Sequence, residues 1–425
     1  MKKPEHFERL NHDFQPENKG RLFFDGKAFC DLSSLNILRC GVDTLRQLYR
    51  GNIKPGILEI FEESGLVFFA GYDWHAGRVA RDSGYQFKLQ NADLGIVMLI
   101  KNFNVKPENH GPHLKIEASP HLIDEHPPAD LQKFMDGLAN EVLDQVQYNQ
   151  CAVHLALDVQ GWIPPADIVA RMHCRSRSVR QFDTVADMDF AHTAVTYGRG
   201  ESYMFGSPSS VQLCIYDKTA QAKATDKLDY WESVWTRNDN PFEDSPENYN
   251  PELPVWRIEF RFHHSVVQQF ADGTTAKGLD DHFSLGFKCF SALAYHLDGL
   301  LQYGFDSFKF LHTPSRFHPV WTIFTQDVRV NVSVSSLLDK TDYKRYYKTS
   351  SGFSGKNIEL LLGNAISLAA RERLTAEQTI KALKSLPFWQ TIADYYHDKG
   401  MCQITLKEHI SRLLKERCIR WGKAI

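Results

Sequence analysis

Hydrophobic and polar residues alternate with a period of two along several short stretches of the chain, and that period predicts strands. In "HGPHLKIEASPHLI", Leu114, Ile116 and Ala118 fall on one face. "AVHLALD" sets Val153, Leu155 and Leu157 against His154, Ala156 and Asp158. "LCIYDK" sets Leu213, Ile215 and Asp217 against Cys214 and Tyr216. "WRIEFRF" sets Trp256, Ile258, Phe260 and Phe262 against Arg257, Glu259 and Arg261. Further strands are predicted in "SGLVFFAGYD" and "YQFKLQNADLGIVMLIKNFNV". "RCGVDTLRQLYRG" carries a mixed strand and helix signal after forty irregular residues. Helical spacing marks "PPADLQKFMDGLANEVLDQV", "IPPADIVARMHCR", "DKLDYWESVWTR" and most of the chain beyond "DDHFSLGFKCFSALAYHL". The predicted fold is α+β, with a central antiparallel sheet and a helical C-terminal region. If the three polar-faced strands are neighbours, His154, Asp158, Tyr216, Lys218 and Glu259 converge on one polar surface. Taken singly, each strand also fits a sheet with one wet face.

Charge sharpens this picture. The net charge is −3, yet residues 340–425 hold sixteen Lys and Arg against eight Asp and Glu, which leaves the remainder near −11. A basic segment on an acidic protein is a common footprint of nucleic-acid contact. A solvated helical surface is the plainer alternative. "MKKPEHFERLNHDFQ" has no apolar run behind its basic residues, no stretch reaches the roughly 18 apolar residues of a membrane span, and the eight cysteines form no CxxC pair. A cytoplasmic protein with reduced thiols and no membrane partner is expected. There is no P-loop, no G-x-S-x-G elbow and no His-hydrophobic-His triplet, since His263 and His264 are adjacent and point to opposite faces of a strand.

The stretch "Tyr203-x-Phe205-Gly206-Ser207-Pro208-Ser209-Ser210", then "Ile215-Tyr216-Asp217-Lys218-Thr219", then "Trp256-Arg257-Ile258-Glu259-Phe260-Arg261" resembles the replication initiation factor family. That family comprises tyrosine initiators of rolling-circle plasmids and filamentous phages, with related relaxases. "His154-Leu155-Ala156-Leu157-Asp158" is similar to the family's upstream acidic strand. The likeness covers roughly residues 110 to 325. On it, residues 1–110 are the N-terminal part of the initiator core, 111–335 the nicking domain, and 340–425 a basic helical region.

The resemblance implies a metal-dependent DNA nicking and joining enzyme. Tyr216 attacks a phosphodiester of origin DNA, leaving a 5′-phosphotyrosine link and a free 3′-OH primer. It makes Asp158 and Glu259 the ligands of Mg²⁺ or Mn²⁺, and Lys218 and Arg257 phosphate-neutralising groups. It places Ser207, Ser209, Arg261, Lys344 and Arg345 on the DNA, which is double-stranded at the origin and extruded as a single strand at the nick. A host helicase and a second copy of the chain are further candidate partners. The chain departs from the pattern at Cys214 (a basic residue in many relatives), and at His154 and Gln221 (acids there). His154 can itself ligate a Mn²⁺-like ion, or be a buried histidine satisfied by its neighbours. The altered acids leave a second expectation standing, a non-catalytic origin-binding regulator on the same scaffold; a relaxase of a mobile element is a further alternative.

Overall fold

The alternating stretches assemble edge to edge into one antiparallel sheet of eleven strands. The computed structural model describes residues 4–10, 20–24, 26–27, 29–62, 64–174, 179–184, 199–225, 227–236, 249–272, 287–331 and 355–421. Three N-terminal strands, β1 (Glu8–Leu10), β2 (Leu22–Phe24) and β3 (Phe29–Asp31), make a small sheet within the segment expected to be irregular. The large sheet contains β4 (Asn36–Ile53), β5 (Gly65–Phe69), β6 (Tyr72–Arg78), β7 (Tyr85–Asn91), β8 (Ile96–Asn102), β9 (Gly111–Ala118) and β10 (Leu143–Gln160). After β11 (Met172–Cys174), which lies elsewhere, it is completed by β12 (Val179–Thr184), β13 (Arg199–Gly206), β14 (Val211–Asp217) and β15 (Trp256–Phe262). The strand order is β12-β13-β14-β15-β10-β4-β9-β8-β7-β6-β5. A third sheet joins β11 to β16 (Phe308–Thr313) and β17 (Arg316–Phe317).

The spine is β4 paired with β10, two strands of 18 residues each. The mixed signal of "RCGVDTLRQLYRG" resolves as strand alone. From Leu45 to Ile53 every second residue is buried, a period that only a strand satisfies. The helix Pro128–Val142 stops four residues earlier than its apolar spacing suggests, because Leu143 already pairs with Ile53 as the first residue of β10. "IPPADIVARMHCR" yields only the short helix Ile168–Arg171 before β11 begins.

One face of the sheet carries the core. Val153, Leu155, Leu157, Ile258, Phe260 and Phe262 pack there with Leu131, Met135 and Leu138 of the helix Pro128–Val142. Phe260 meets Phe305 of the helix Leu297–Ser307 edge to face at 4.8 Å. The sheet ignores the boundary expected near residue 110, since β4–β8 precede it and β9, β10 and β12–β15 follow it.

The chain divides into two compact units, Met1–Thr225 with Trp231–Tyr343, and Asp226–Tyr230 with Lys344–Ile425. Among the described residues the second contains four helices, Gly355–Arg371, Ala376–Lys384, Trp389–Asp398 and Gln403–Trp421. They close over their own core of Ile358, Leu362, Ile366, Leu383, Ile392, Leu406, Ile410 and Leu414, so the apolar stripe of residues 364–386 is used within this unit. Thr375 and Gln378 form a reciprocal capping box at the start of the second helix. Tyr395 and Tyr396 are buried in this core. Tyr343, Tyr346, Tyr347 and Phe353 lie outside the described residues. Among the described residues no helix is long and apolar enough to cross a membrane.

Gly206 lets β13 turn into β14. Its φ is +93°, and a Cβ there would stand 2.2 Å from the Val211 carbonyl oxygen. Gly206→Ala is expected to cost about 1–3 kcal/mol from the left-handed backbone alone, read as a lower thermal midpoint by circular dichroism. An unchanged midpoint would show that this turn makes no such demand.

Candidate active site

The segment Tyr216-Asp217-Lys218-Thr219 is where strand becomes helix. Tyr216 is the penultimate residue of β14. Asp217 then caps the helix Lys218–Ala224, its Oδ1 accepting from the Ala220 amide at 2.8 Å. The Lys218 amide donates to the Val255 carbonyl at 2.8 Å, and Thr219 Oγ1 accepts from the Val255 amide at 2.9 Å. Those two bonds pin the start of the helix to the entry of β15.

Register then brings the predicted residues together. Ser202 lies opposite Tyr216, Tyr216 opposite Arg257, and Arg257 opposite Asp158. One row further along, Cys214 faces Glu259 and Glu259 faces Ala156; in the next, Gln212 faces Arg261 and Arg261 faces His154. Directly opposed residues on one face of a sheet interact, so three separately polar strands make one continuous cluster. A wet sheet surface it is not. Arg257 and Asp158 are 0 % exposed and Tyr216 and Glu259 1 %. Trp231 and Trp235, on the helix Leu228–Trp235, account for part of the cover. Trp231 lies 4.2 Å from both Lys218 Nζ and Arg257 Cζ, and Trp235 Nε1 donates to Asp158 Oδ2 at 2.9 Å.

Asp43 enters through an irregularity. Pairing between β10 and β4 passes from His154–Thr44 to Leu155–Val42, leaving Asp43 as the extra residue of a β-bulge. The bulge turns Asp43 onto the polar side, where its Oδ1 accepts from Arg257 Nη1.

The three acids carry different loads. Asp158 accepts from Arg257 Nε at 2.6 Å and Nη2 at 2.7 Å, besides Trp235. Both its oxygens are committed, and Asp158, against the ligand role expected for it, is not in the group of residues that stand at metal-ligand spacing. Glu259 Oε2 accepts from the Tyr216 hydroxyl at 2.9 Å, while Oε1 accepts from Arg261 Nε at 2.8 Å and lies 3.2 Å from His154 Nδ1. Asp43, His154 and Glu259 each offer a ligand atom, all within 4.8 Å of one another. One imidazole nitrogen with two carboxylate oxygens suits Mn²⁺, and more loosely Mg²⁺. By donor chemistry these three residues fit the divalent cation that the initiator resemblance implies.

Burial and charge set the protonation states. Burial, then the charge of Glu259, raises the Tyr216 phenol well above its ordinary value, against the pull of Arg257. Burial favours a protonated Glu259, but Arg261, His154 and Arg257 outweigh it and hold the carboxyl well below the usual range. Burial lowers the His154 imidazole, only partly offset by its bond to Glu259. Burial, then Arg257, brings Lys218 down to about 7. Burial also pushes Cys214 up to about 12, so the thiol at this departure from the family pattern is inert packing beside Met204 and Tyr216.

The residues expected on DNA separate. Ser207 and Ser209 sit at the turn between β13 and β14, their hydroxyls 2.9 Å apart. Arg261 is buried on Glu259, so the structure places it inside the cluster and away from any surface for DNA. Lys344 and Arg345 lie outside the described residues. Gln221, at a position where the family has an acid, accepts from Lys218 Nζ at 2.8 Å. Sequence reasoning missed Asp43, Ser202 and the two tryptophans. Asp43 was hidden because a bulge breaks the period of two. Ser202 is a buried hydroxyl, without a hydrogen-bond partner among the described residues, in the row of Tyr216.

The fold and this cluster define an α+β protein with a sealed tyrosine–acid–histidine site in its main sheet. The chain is 50 % identical over 433 residues to the uncharacterized protein ORF430 of Pseudomonas phage Pf1, a match spanning the whole of both chains, and it belongs to that protein's family. No family model matches the chain. No solved structure matches it either.

Lys218 gives this site a pH signature. Its folded value of about 7 lies below the ordinary 10.5, so between those limits the unfolded chain binds more protons and stability rises with pH. Lys218→Met keeps the length and removes the buried ammonium. The variant is expected to be more stable than the parent in urea at pH 7, by a margin that shrinks at pH 9. A less stable variant, or a margin independent of pH, would contradict a lysine buried at such cost.

Proposed function

We propose that the protein is a DNA nicking and joining enzyme that starts rolling-circle replication of a phage genome, with Tyr216 as nucleophile. One observation carries the reading. The Tyr216 hydroxyl is bonded to Glu259, a member of the only triad among the described residues whose ligand atoms are spaced for a metal ion. Membership of a family with a phage relative supports the setting. In the reaction Tyr216 Oη attacks phosphorus; the Oη–P bond forms and the P–O3′ bond breaks. The phenolic proton passes to Glu259 Oε2, which already accepts its hydrogen bond. The 5′-phosphate stays on Tyr216, and the released 3′-OH serves as primer. Arg257 supplies fixed positive charge beside the phenol. Asp43, His154 and Glu259 would hold the divalent cation, which stabilises charge developing on the phosphate.

A phenol that is 1 % exposed cannot meet DNA as it stands. Substrate binding has to uncover it, and the helix Leu228–Trp235 covers its cationic neighbours. The same burial favours a second reading, an origin-binding regulator in which the cluster is purely structural.

A nicking assay on supercoiled phage DNA with Mn²⁺ or Mg²⁺ separates the two. Tyr216→Phe removes one hydroxyl and is expected to abolish the covalent protein–DNA adduct while DNA binding stays near that of the parent. Tyr203 is no substitute nucleophile, since it faces the hydrophobic core. An adduct surviving in Tyr216→Phe, or none with the parent protein, would sink the assignment.

The cation is tested without DNA. Mn²⁺ is expected to broaden the His154 imidazole resonances in NMR spectra, and Asp43→Asn with Glu259→Gln to abolish that broadening. Equal broadening in parent and double variant would place the ion elsewhere.

A further inference from the structure

Lys218 stands apart from the other cations of the cluster. Arg257 is paired with Asp158 and Asp43, Arg261 with Glu259, and Arg39 with Asp124. Lys218 is buried, and among the described residues no carboxylate lies within ion-pair distance of it. Its Nζ donates to the neutral amide oxygen of Gln221 and lies 4.2 Å from the Trp231 ring centroid and 5.9 Å from that of Tyr216. The helix start that carries it is fixed by the Asp217 cap and by the bond from its amide to Val255. An ammonium so placed has N–H bonds left over beside the phenol, with no carboxylate among the described residues close enough to pair with them.

We propose that Lys218 Nζ is the proton donor to the 3′-oxygen that leaves when Tyr216 attacks, and takes that proton back on rejoining. The inference rests on the Tyr216 reading above. The step balances. The Oη–P bond forms and the phenolic proton goes to Glu259, while the P–O3′ bond breaks and the departing oxygen takes a proton from the ammonium, leaving a neutral amine. Arg257 cannot perform this transfer, because a guanidinium does not give up its proton in a protein. His154 is lowered by burial and held against Glu259. The charged groups around Lys218 come from three strands, Arg257 and Glu259 of β15, Asp43 of β4 and Asp158 of β10. Burial and Arg257 dominate them, so acid and conjugate base coexist near neutrality, where a proton-transfer group is most effective.

The test uses the full-length protein and an oligonucleotide carrying the nick site mapped on phage DNA. A second oligonucleotide has sulfur in place of the scissile 3′-oxygen, a leaving atom that departs without a proton. Single-turnover adduct formation is the readout. On the oxygen substrate Lys218→Met and Lys218→Arg are each expected to lose about 100-fold or more, within the range of general acid catalysis. On the sulfur substrate both are expected to come within about tenfold of the parent. The parent rate on oxygen is expected to fall as pH rises past neutrality, and the rate on sulfur to lack that limb. An equal loss on both substrates would make Lys218 a structural or electrostatic group. An active Lys218→Arg on oxygen would make it a point charge. A parent protein inert on both substrates would overturn the Tyr216 reading, and this inference with it.

Discussion

A guanidinium buried out of reach of water dictates the polar side of this sheet. Arg257 is completely enclosed in β15, the strand between β10 and β14, and an enclosed charge persists only where acids neutralise it. Asp158 does so with two short bonds across one strand boundary, and Asp43 with a further one. Removing one partner of such a pair costs about 3–5 kcal/mol, because the remaining charge is stranded. The pairing also fixes the division of labour. Once Asp158 is committed to Arg257, Glu259 is the acid left to receive the phenol, with His154 and Asp43 at ligand spacing from it.

Much of this was legible in the chain. The alternation in "AVHLALD", "LCIYDK" and "WRIEFRF" assigned every polar residue to its correct face, and the expectation that the three strands are neighbours was met by β10, β15 and β14 in direct register. The period of two is a local property of the backbone, so it survives into the fold unchanged. Burial does not share that locality. Whether a polar face is wet depends on what packs over it, and the helix Leu228–Trp235 reads in sequence as an ordinary amphipathic segment. Nothing in "DYWESVW" announces that Trp231 will lie on two cations and Trp235 on an acid.

That Asp43, in place of the expected Asp158, stands at ligand spacing from His154 and Glu259 has the same kind of cause. Asp158 and Asp43 are both acids on long strands, and only Asp158 falls in the stretch "HLALD" that carries the family resemblance. What separates them is one inserted residue in β4, a break in register visible only once β4 and β10 are paired. A bulge of this sort bends the strand and re-aims one side chain. Here it brings a third donor to His154 and Glu259, which strict alternation would have kept away.

On the proposed reading, the enclosure of Tyr216 bears directly on how a nicking enzyme would stay harmless. A neutral phenol directed at Glu259 is a poor nucleophile, and burial keeps it neutral. Anything that uncovers the site raises the local dielectric and relaxes that penalty, while a phosphate drawn to Arg257 and Lys218 supplies the electrophile at the same moment. On the proposed reading, the groups that activate Tyr216 are therefore the ones substrate must reach to displace the tryptophans covering them. Binding energy from DNA would be spent on opening the site, so that a reactive tyrosine exists only where a strand is already in place. The indole of Trp231 fits that role because it holds Lys218 and Arg257 by cation–π contacts, which the full negative charge of a phosphate can displace.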